Sequence, residues 1–223
     1  MRARRGLVIG WTLTGAYALL MGIVVLQDVD RAPFDRHAAA SSPAERFVEA
    51  WERSRRASFV ATGTYERHSE VTGATLTSED VLAQRPPRRL HRQLGGVEGR
   101  DDDRLIVCPA PPSGEEANAQ PCRLGDPGGL TYAASVEREV RGLRSLTTGT
   151  DPLYRVRVDE AGCFDLRQMR IEPRAPFGVE ASFCFDAATG AVASSRVRYA
   201  GGIVEVRVIT SIRADVVDAD LEP

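Results

Sequence analysis

Two segments in the last third of the chain, each with one cysteine, constrain the fold more than any other feature of the sequence. Residues 162–171 and 177–186 alternate apolar and polar side chains, as β-strands with one buried face do. When the two segments are folded against each other as an antiparallel hairpin, Cys163 lies opposite Cys184. The sequence therefore predicts an antiparallel sheet that contains this hairpin, closed by a Cys163–Cys184 disulfide bond.

The same register predicts the character of both faces of the hairpin. Arg167 lies opposite Glu180 as an ion pair, and Asp165 lies opposite Ser182, on the face that carries the two cysteines. The other face is apolar, and we expect it to belong to the core. It carries Phe164, Leu166, Ala181, Phe183 and Phe185.

The other two cysteines, Cys108 and Cys122, flank a segment rich in proline, glycine, serine and glutamate. An even number of cysteines in an exported domain is typical of disulfide bonds, so we expect a Cys108–Cys122 bond across this segment. A zinc site that combines both cysteines with His91 is the alternative. The C-x-x-C spacing typical of zinc and redox sites is missing from the sequence. We therefore expect neither a metal nor a cofactor.

The N-terminus predicts where the protein resides. Three arginines within residues 1–5 precede an uncharged stretch at residues 6–27, which is mainly apolar and would span roughly 30 Å as a helix. The basic end should stay in the cytoplasm, so we expect a single-pass signal anchor in the cell membrane, a linker at residues 28–41 and an extracytoplasmic domain at residues 42–223. A cleaved signal peptide is the alternative, but the apolar stretch is longer than such peptides need.

The charged residues exclude several classes of function. All 29 basic residues are arginine, so a Schiff-base lysine or a phosphate-binding P-loop lysine is impossible. The exported part carries 26 arginines and 31 acidic residues, a net charge of −5, which argues against a nucleic acid as partner. The sequence contains no recognisable motif for nucleophilic catalysis, so we expect no catalytic residues and a protein that is not an enzyme.

The remaining sequence predicts two helices and a series of strands. Ser42, Pro43 and Glu45 have the spacing of a helix start, and apolar residues then recur with a helical period over residues 43–57. We expect this helix to pack across a sheet, with a position on the membrane surface as the alternative. Alternating patterns predict further strands at 58–70, 74–84, 88–94, 103–108 and 154–158, and a second helix at 132–146.

The end of the chain predicts a second hairpin. The glycine pair at 201–202 can form a two-residue turn, which places Tyr199 opposite Val204 and Arg198 opposite Glu205. Together the elements predict an α+β fold in which a long, mostly sequential antiparallel sheet carries two helices.

One predicted strand carries a basic cluster, formed by Arg88, Arg89, His91 and Arg92. Arginine side chains at such a site would contact an anionic group, either a lipid headgroup or an acidic peptide, through Arg88, Arg89 and Arg92. The alternative is a solvated strand at the edge of the sheet, whose charges prevent pairing with other chains.

Several stretches together resemble the LolA-like superfamily. This group includes the lipoprotein carrier, its mycobacterial LppX/LprG-like relatives and the amino-terminal domain of the sigma-factor regulators RseB and MucB. The resemblance covers most of residues 43–223. Its features are the amphipathic helix, the strand Phe59-Val60-Ala61-Thr62-Gly63-Thr64-Tyr65, the basic strand after Pro86-Pro87, the loop at 185–190 and the closing segment at 212–223.

The resemblance implies a half-open antiparallel β-barrel wrapped on one or two helices, whose concave side holds a lipid or a protein segment. We therefore expect a non-catalytic, membrane-anchored binding domain for a lipid or other apolar ligand. The alternative is an envelope-sensing regulatory or protein-interaction module similar to the RseB/MucB domain. An open apolar cavity of roughly several hundred Å³ would suit a lipid, whereas a filled core would suit a protein partner.

Three features depart from the family pattern or go beyond it. The two cysteine pairs are not a general property of the superfamily, and a membrane anchor replaces a free or lipidated periplasmic state. The composition, rich in arginine and free of lysine, is typical of a high-GC genome, and an actinobacterial origin would fit. Lipoprotein transfer between two membranes is therefore not implied.

Overall fold

The computed structural model describes residues 41–110, 122–125 and 127–223. The predicted membrane anchor at residues 6–27 lies outside the described residues, as does the linker apart from residue 41. Within the described ranges, none of the helices combines the length and the apolar character that crossing a bilayer requires.

The described residues form one sheet of eleven antiparallel strands. Two consecutive meanders, β1 to β6 and β7 to β11, lie side by side because β1 pairs with β11. The strands are β1 (Phe59–Ser69), β2 (Thr75–Arg85), β3 (Arg88–Gln93), β4 (Gly96–Asp101), β5 (Arg104–Cys108), β6 (Arg123–Leu124), β7 (Tyr154–Val158), β8 (Phe164–Gln168), β9 (Glu180–Phe185), β10 (Val192–Arg198) and β11 (Ile203–Arg213).

Two α-helices pack on the inner face of the sheet, and both form where the sequence predicts them. Helix α1 (Pro43–Arg56) precedes β1, and helix α2 (Tyr132–Thr147) connects the two meanders. The Thr131 hydroxyl begins α2 by accepting a hydrogen bond from the Ala134 N–H at 3.3 Å. The buried side chains of α2 recur every three or four residues, as helix packing requires: Tyr132, Val136, Val140, Leu143 and Thr147.

The sheet curls around the C-terminal half of α1. His91 in β3 and Ser195 in β10 line one small cavity, although β2, β1 and β11 separate the two strands. In a flat sheet with strands about 4.8 Å apart, these two strands would lie roughly 19 Å from each other. An open, curved antiparallel sheet that carries two helices confirms the coarse architecture predicted from the sequence.

The cysteine hairpin has the predicted register. Phe164 pairs with Phe183 and Leu166 with Ala181, and Cys163 is bonded to Cys184 with their Cα atoms 4.4 Å apart. The second bond joins Cys108 to Cys122, with Cα atoms 4.1 Å apart.

The predicted ion pair within that hairpin is wrong. Arg167 does lie opposite Glu180 in the register, but the Glu180 carboxylate pairs instead with Arg198 of β10, at 2.9 Å. Strand β10 pairs with β9 and places Arg198 opposite Glu180 on the same face. The isolated hairpin of β8 and β9 does not contain this second arginine, so its sequence alone predicts the wrong partner.

The register predicted for the last hairpin is wrong by one residue. Arg198 lies opposite Val204, and Glu205 lies opposite Val197. The Tyr199 N–H donates to the Ile203 carbonyl, and Gly202 has a φ of +73°, so the connection is a three-residue loop rather than a two-residue turn. A left-handed glycine at the end of such a loop is a common hairpin geometry.

Strand β4 was not predicted, because its two glycines and three charged residues resemble a loop. Its presence corrects the interpretation of the basic strand. β3 pairs with β2 on one side and with β4 on the other, so it is an interior strand and its arginines do not protect a sheet edge.

Candidate functional site

An aromatic plug fills the inner face over β8 and β9. Phe47 of α1 is completely buried, and its ring centre lies 5.5–6.3 Å from those of five neighbours. Phe47 and Trp51 are four residues apart, so both project from one side of α1 towards the sheet. The five neighbours are Trp51, Phe164, Phe177, Phe183 and Phe185.

The C-terminal end of α1 is anchored over the first meander by two polar side chains. The buried Gln84 amide donates to the carbonyls of Ser54 and Ala57 at 2.8 and 2.7 Å. The Tyr132 hydroxyl donates to the Arg55 carbonyl at 2.6 Å, and burial raises the pKa of this tyrosine. Because the last carbonyls of a helix have no partner within the helix, these contacts satisfy them and hold α1 in place.

A buried carboxylate lies at the centre of the inner face beside the plug. Asp80 of β2 is fully buried. Its Oδ1 lies 2.6 Å from His91 Nε2, and its Oδ2 lies 2.6 Å from Arg207 Nε. Arg207 Nη2 is also 3.4 Å from His91 Nε2. The curl of the sheet brings β11 over β3, so the three groups form one network although their strands are not all neighbours.

A second charged cluster joins the two helices, and Arg89 of β3 lies close enough to feel its charges. Glu139 of α2 accepts hydrogen bonds from Arg55 at 2.7 Å and from the Trp51 indole at 3.0 Å. Burial alone would raise the pKa of Glu139, but the charge and hydrogen bond of Arg55, with the indole, hold the pKa below its ordinary value. Burial and the nearby Arg55 charge lower the pKa of Arg89 to about 9.

The space left between α1 and the sheet is small. The cavity there has a volume of about 80 Å³ and is lined by both charged clusters and by the edge of the plug. It is too small for an acyl chain, because pockets for drug-sized ligands are typically about 300–1,000 Å³ and mostly apolar. The concave side of the described domain is therefore a filled, partly charged core.

The structure divides the predicted basic cluster between the two faces of the sheet. Arg89 and His91 face inward, towards α1 and Asp80. Arg88 and Arg92 face outward and donate to the Leu221 and Asp220 carbonyls at 3.0 and 3.1 Å. Consecutive residues of a strand point to opposite faces, so four basic residues in five positions cannot form one site.

The outward arginines hold the closing segment of the chain against the sheet. The 3₁₀ helix Asp218–Leu221 carries Leu221, which is completely buried with Leu90 and Ala83 under the segment. Arg85 donates to the Val216 carbonyl at 3.2 Å in the same segment. The anionic contact predicted for Arg88, Arg89 and Arg92 stays a prediction, but backbone carbonyls of the chain itself already engage two of the three.

No local motif in the sequence marks Asp80, Arg207 or Glu139 as site residues. One signal was present, since Asp80 has the parity of Leu82 and Gln84 in a strand whose even-numbered residues face inward. In the described part of the chain, no cluster of three or more His, Cys, Asp or Glu residues could hold a metal ion. The interactions that these residues make are hydrogen bonds and ion pairs, and they hold α1 against the sheet.

No protein-family model matches the sequence, and a comparison with curated proteins finds no match. The fold is similar to that of a chain in the MucA/MucB complex of Pseudomonas aeruginosa, with 16% identity and a TM-score of 0.45, over 82% of this chain and 62% of the other. It is also similar to a LolA superfamily protein from Nitrosomonas europaea, with 10% identity and a TM-score of 0.33, over 82% and 99% of the two chains.

A third similar structure is a putative outer membrane lipoprotein-sorting protein domain from Vibrio parahaemolyticus, with 9% identity and a TM-score of 0.30, over 80% and 97% of the chains. The Nitrosomonas europaea protein is named as a member of the LolA superfamily, which the sequence resembles. Their identities and TM-scores describe a similarity in the path of the chain, and they assign no ligand or partner to this protein.

Proposed function

We propose that residues 42–223 form a non-catalytic, extracytoplasmic binding domain that recognises a protein partner at the cell membrane, as an envelope-sensing regulatory module would. The observation that carries this proposal is the aromatic plug. Phe47 and Trp51 occupy the position that an apolar ligand would need, and the cavity beside them is charged and holds only about 80 Å³.

Displacing the plug to admit a lipid would be costly. Removing the side chain of a fully buried phenylalanine such as Phe47 costs about 3–5 kcal/mol. The hydrogen bonds from Gln84 and Tyr132 to the end of α1 would break as well. A lipid would have to compensate for both losses, whereas a protein partner can bind the outside of the domain with α1 in place.

The proposed location rests on the sequence and agrees with the chemistry of the cysteines. The uncharged stretch at residues 6–27 has the length and the flanking arginines of a signal anchor. All four cysteines of the chain are in disulfide bonds, which persist in oxidising compartments outside the cytoplasm.

Photo-crosslinking of the full chain in its own cells tests the proposal. A photoreactive amino acid is placed in turn at three exposed positions on different surfaces: Leu105 on β5, Arg141 on α2 and Arg157 on β7. We expect a protein adduct of one defined mass from at least one position, dependent on illumination. Adducts that contain only lipid at all three positions would favour the lipid carrier and contradict the proposal, as would no adduct at any position.

A further inference from the structure

The outer face of β7 to β10 contains a groove of about 580 Å³, and arginine is the commonest residue in its lining. It lies on the face of the sheet opposite α1, because the intervening residues Val156 and Leu166 point into the core. Five arginines and two carboxylates line it, which leaves three more positive than negative charges. The members of this arginine groove are Arg155, Arg157, Arg167, Arg196 and Arg198, with Asp165 and Glu180.

The strand register places two arginines of the groove directly opposite each other. Arg155 of β7 pairs in register with Arg167 of β8. Like charges at facing positions destabilise a sheet, so the fold gains nothing from this pair. Arg167 and its other cross-strand neighbour, Glu180, form no ion pair, because Arg198 takes the Glu180 carboxylate.

Most of the positive charge in the groove is not neutralised within the domain. In the described ranges, no carboxylate lies within 4.0 Å of a side-chain nitrogen of Arg155, Arg157, Arg167 or Arg196. All four side chains are exposed. The exported part of the chain has a net negative charge, so the groove is more positive than the domain as a whole.

We infer that the arginine groove binds an acidic segment of the partner protein. This inference rests on the proposed function and deepens it by naming the surface and the chemistry of the partner. Guanidinium groups donate paired hydrogen bonds to carboxylates, and four arginines without a carboxylate partner can bind several carboxylates at once. An extended peptide segment can enter the arginine groove, whereas a flat membrane surface would contact only the rim of the groove.

The dimensions of the groove set the length of the segment. Four neighbouring strands span roughly 14 Å, which an extended peptide crosses in about four to five residues. The Cys163–Cys184 bond lies on the same outer face and joins the ends of β8 and β9. The floor of the groove is thereby held in one register before the partner arrives.

Binding of a fluorescein-labelled hexaglutamate peptide to the full chain in nonionic detergent tests the inference by fluorescence anisotropy. The groove variant combines Arg155→Gln, Arg167→Gln and Arg196→Gln. The control variant combines Arg138→Gln, Arg141→Gln and Arg144→Gln, which remove the same charge from the exposed side of α2. We expect saturable binding to the unaltered chain, at least about tenfold weaker binding to the groove variant, and a change within about twofold for the control.

Folding of the groove variant is checked separately by urea unfolding. Because the variant removes the facing Arg155–Arg167 pair, its stability should be equal to or higher than that of the unaltered chain. Equal weakening in both variants would show only bulk attraction and overturn the inference, as would no saturable binding. Binding to phosphatidylglycerol vesicles through the same arginines, with no competition from hexaglutamate, would overturn it in favour of a membrane surface.

The two proposals can fail separately. If photo-crosslinking in cells yields a protein adduct that the groove variant retains at the same intensity, the domain has a partner but the groove does not bind it. If no protein adduct forms at any position, the proposed function itself fails.

Discussion

At the scale of single residues, the inner face shows how a polar group can be part of a core. Asp80 places a carboxyl group at a fully buried position, where a carboxylate without a partner would be very costly. His91 lies within hydrogen-bond distance of Oδ1, and Arg207 lies close enough to Oδ2 for an ion pair, so the two groups reach the carboxyl from two different strands. The three side chains therefore connect the first meander to the last strand.

Replacing Asp80 by asparagine should destabilise the domain strongly. The amide has the shape of the carboxylate but leaves the positive charge of Arg207 without its partner in a half-buried position. We expect the free energy of unfolding in urea to fall by about 3 kcal/mol. Asp151→Asn is the matched control, since Asp151 pairs with Arg170 at an exposed position and its loss should change stability little. Equal effects of the two substitutions would contradict the role assigned to Asp80.

At the scale of secondary-structure elements, the two hairpins show what a local pattern can and cannot decide. In the cysteine hairpin, paired cysteines and an apolar face agree on one register, and the structure has it. In the last hairpin, the glycines indicate a turn without fixing its length. One extra loop residue moves every partner by one position.

The cysteine hairpin makes a covalent prediction. A non-reducing peptide map of the native chain should find Cys163 joined to Cys184 and Cys108 joined to Cys122. A link between Cys108 and Cys184 would contradict the register. Replacing Cys163 and Cys184 together by serine should lower the free energy of unfolding by about 2–4 kcal/mol, because the unfolded chain is no longer constrained.

At the scale of the whole molecule, tyrosines in the sheet and in α2 predict how stability depends on pH. Burial, with the neighbouring Glu205, raises the pKa of Tyr65 to about 12. Burial also raises the pKa of Tyr132, Tyr154 and Tyr199. Unfolded tyrosines ionise near pH 10, so the stability linked to these groups is present below about pH 10 and is lost as the pH rises towards 12.

The tyrosines should therefore contribute a loss of stability between about pH 10 and pH 12, seen as a fall in the urea midpoint. Arg89 acts in the opposite direction, since its pKa is lowered to about 9 and its folded form loses a proton first. The contribution of a tyrosine is therefore measured as the difference between the unaltered chain and a variant in which Arg89 is unchanged. Tyr65→Phe should make this loss smaller, and an unchanged pH dependence in that variant would contradict the assignment to Tyr65.

Much of the candidate site could not be predicted, for a reason visible in its residues. Arg88, Arg89, His91 and Arg92 form a cluster in the sequence, but strand alternation places two on each face. The ion pair predicted between Arg167 and Glu180 fails because Arg198 arrives from a third strand. A list of charged residues on one strand does not reveal which neighbours compete for them.

The sequence by itself determined the local structure of this protein. The two helices, most of the strands and the disulfide hairpin follow from periodicity and from residues that are close along the chain. Only the tertiary structure decided the pairing of β1 with β11, the curl that joins Asp80 to Arg207, and the plug that closes the concave side. These contacts join residues far apart in sequence, and they depend on the packing of the whole domain rather than on any local pattern.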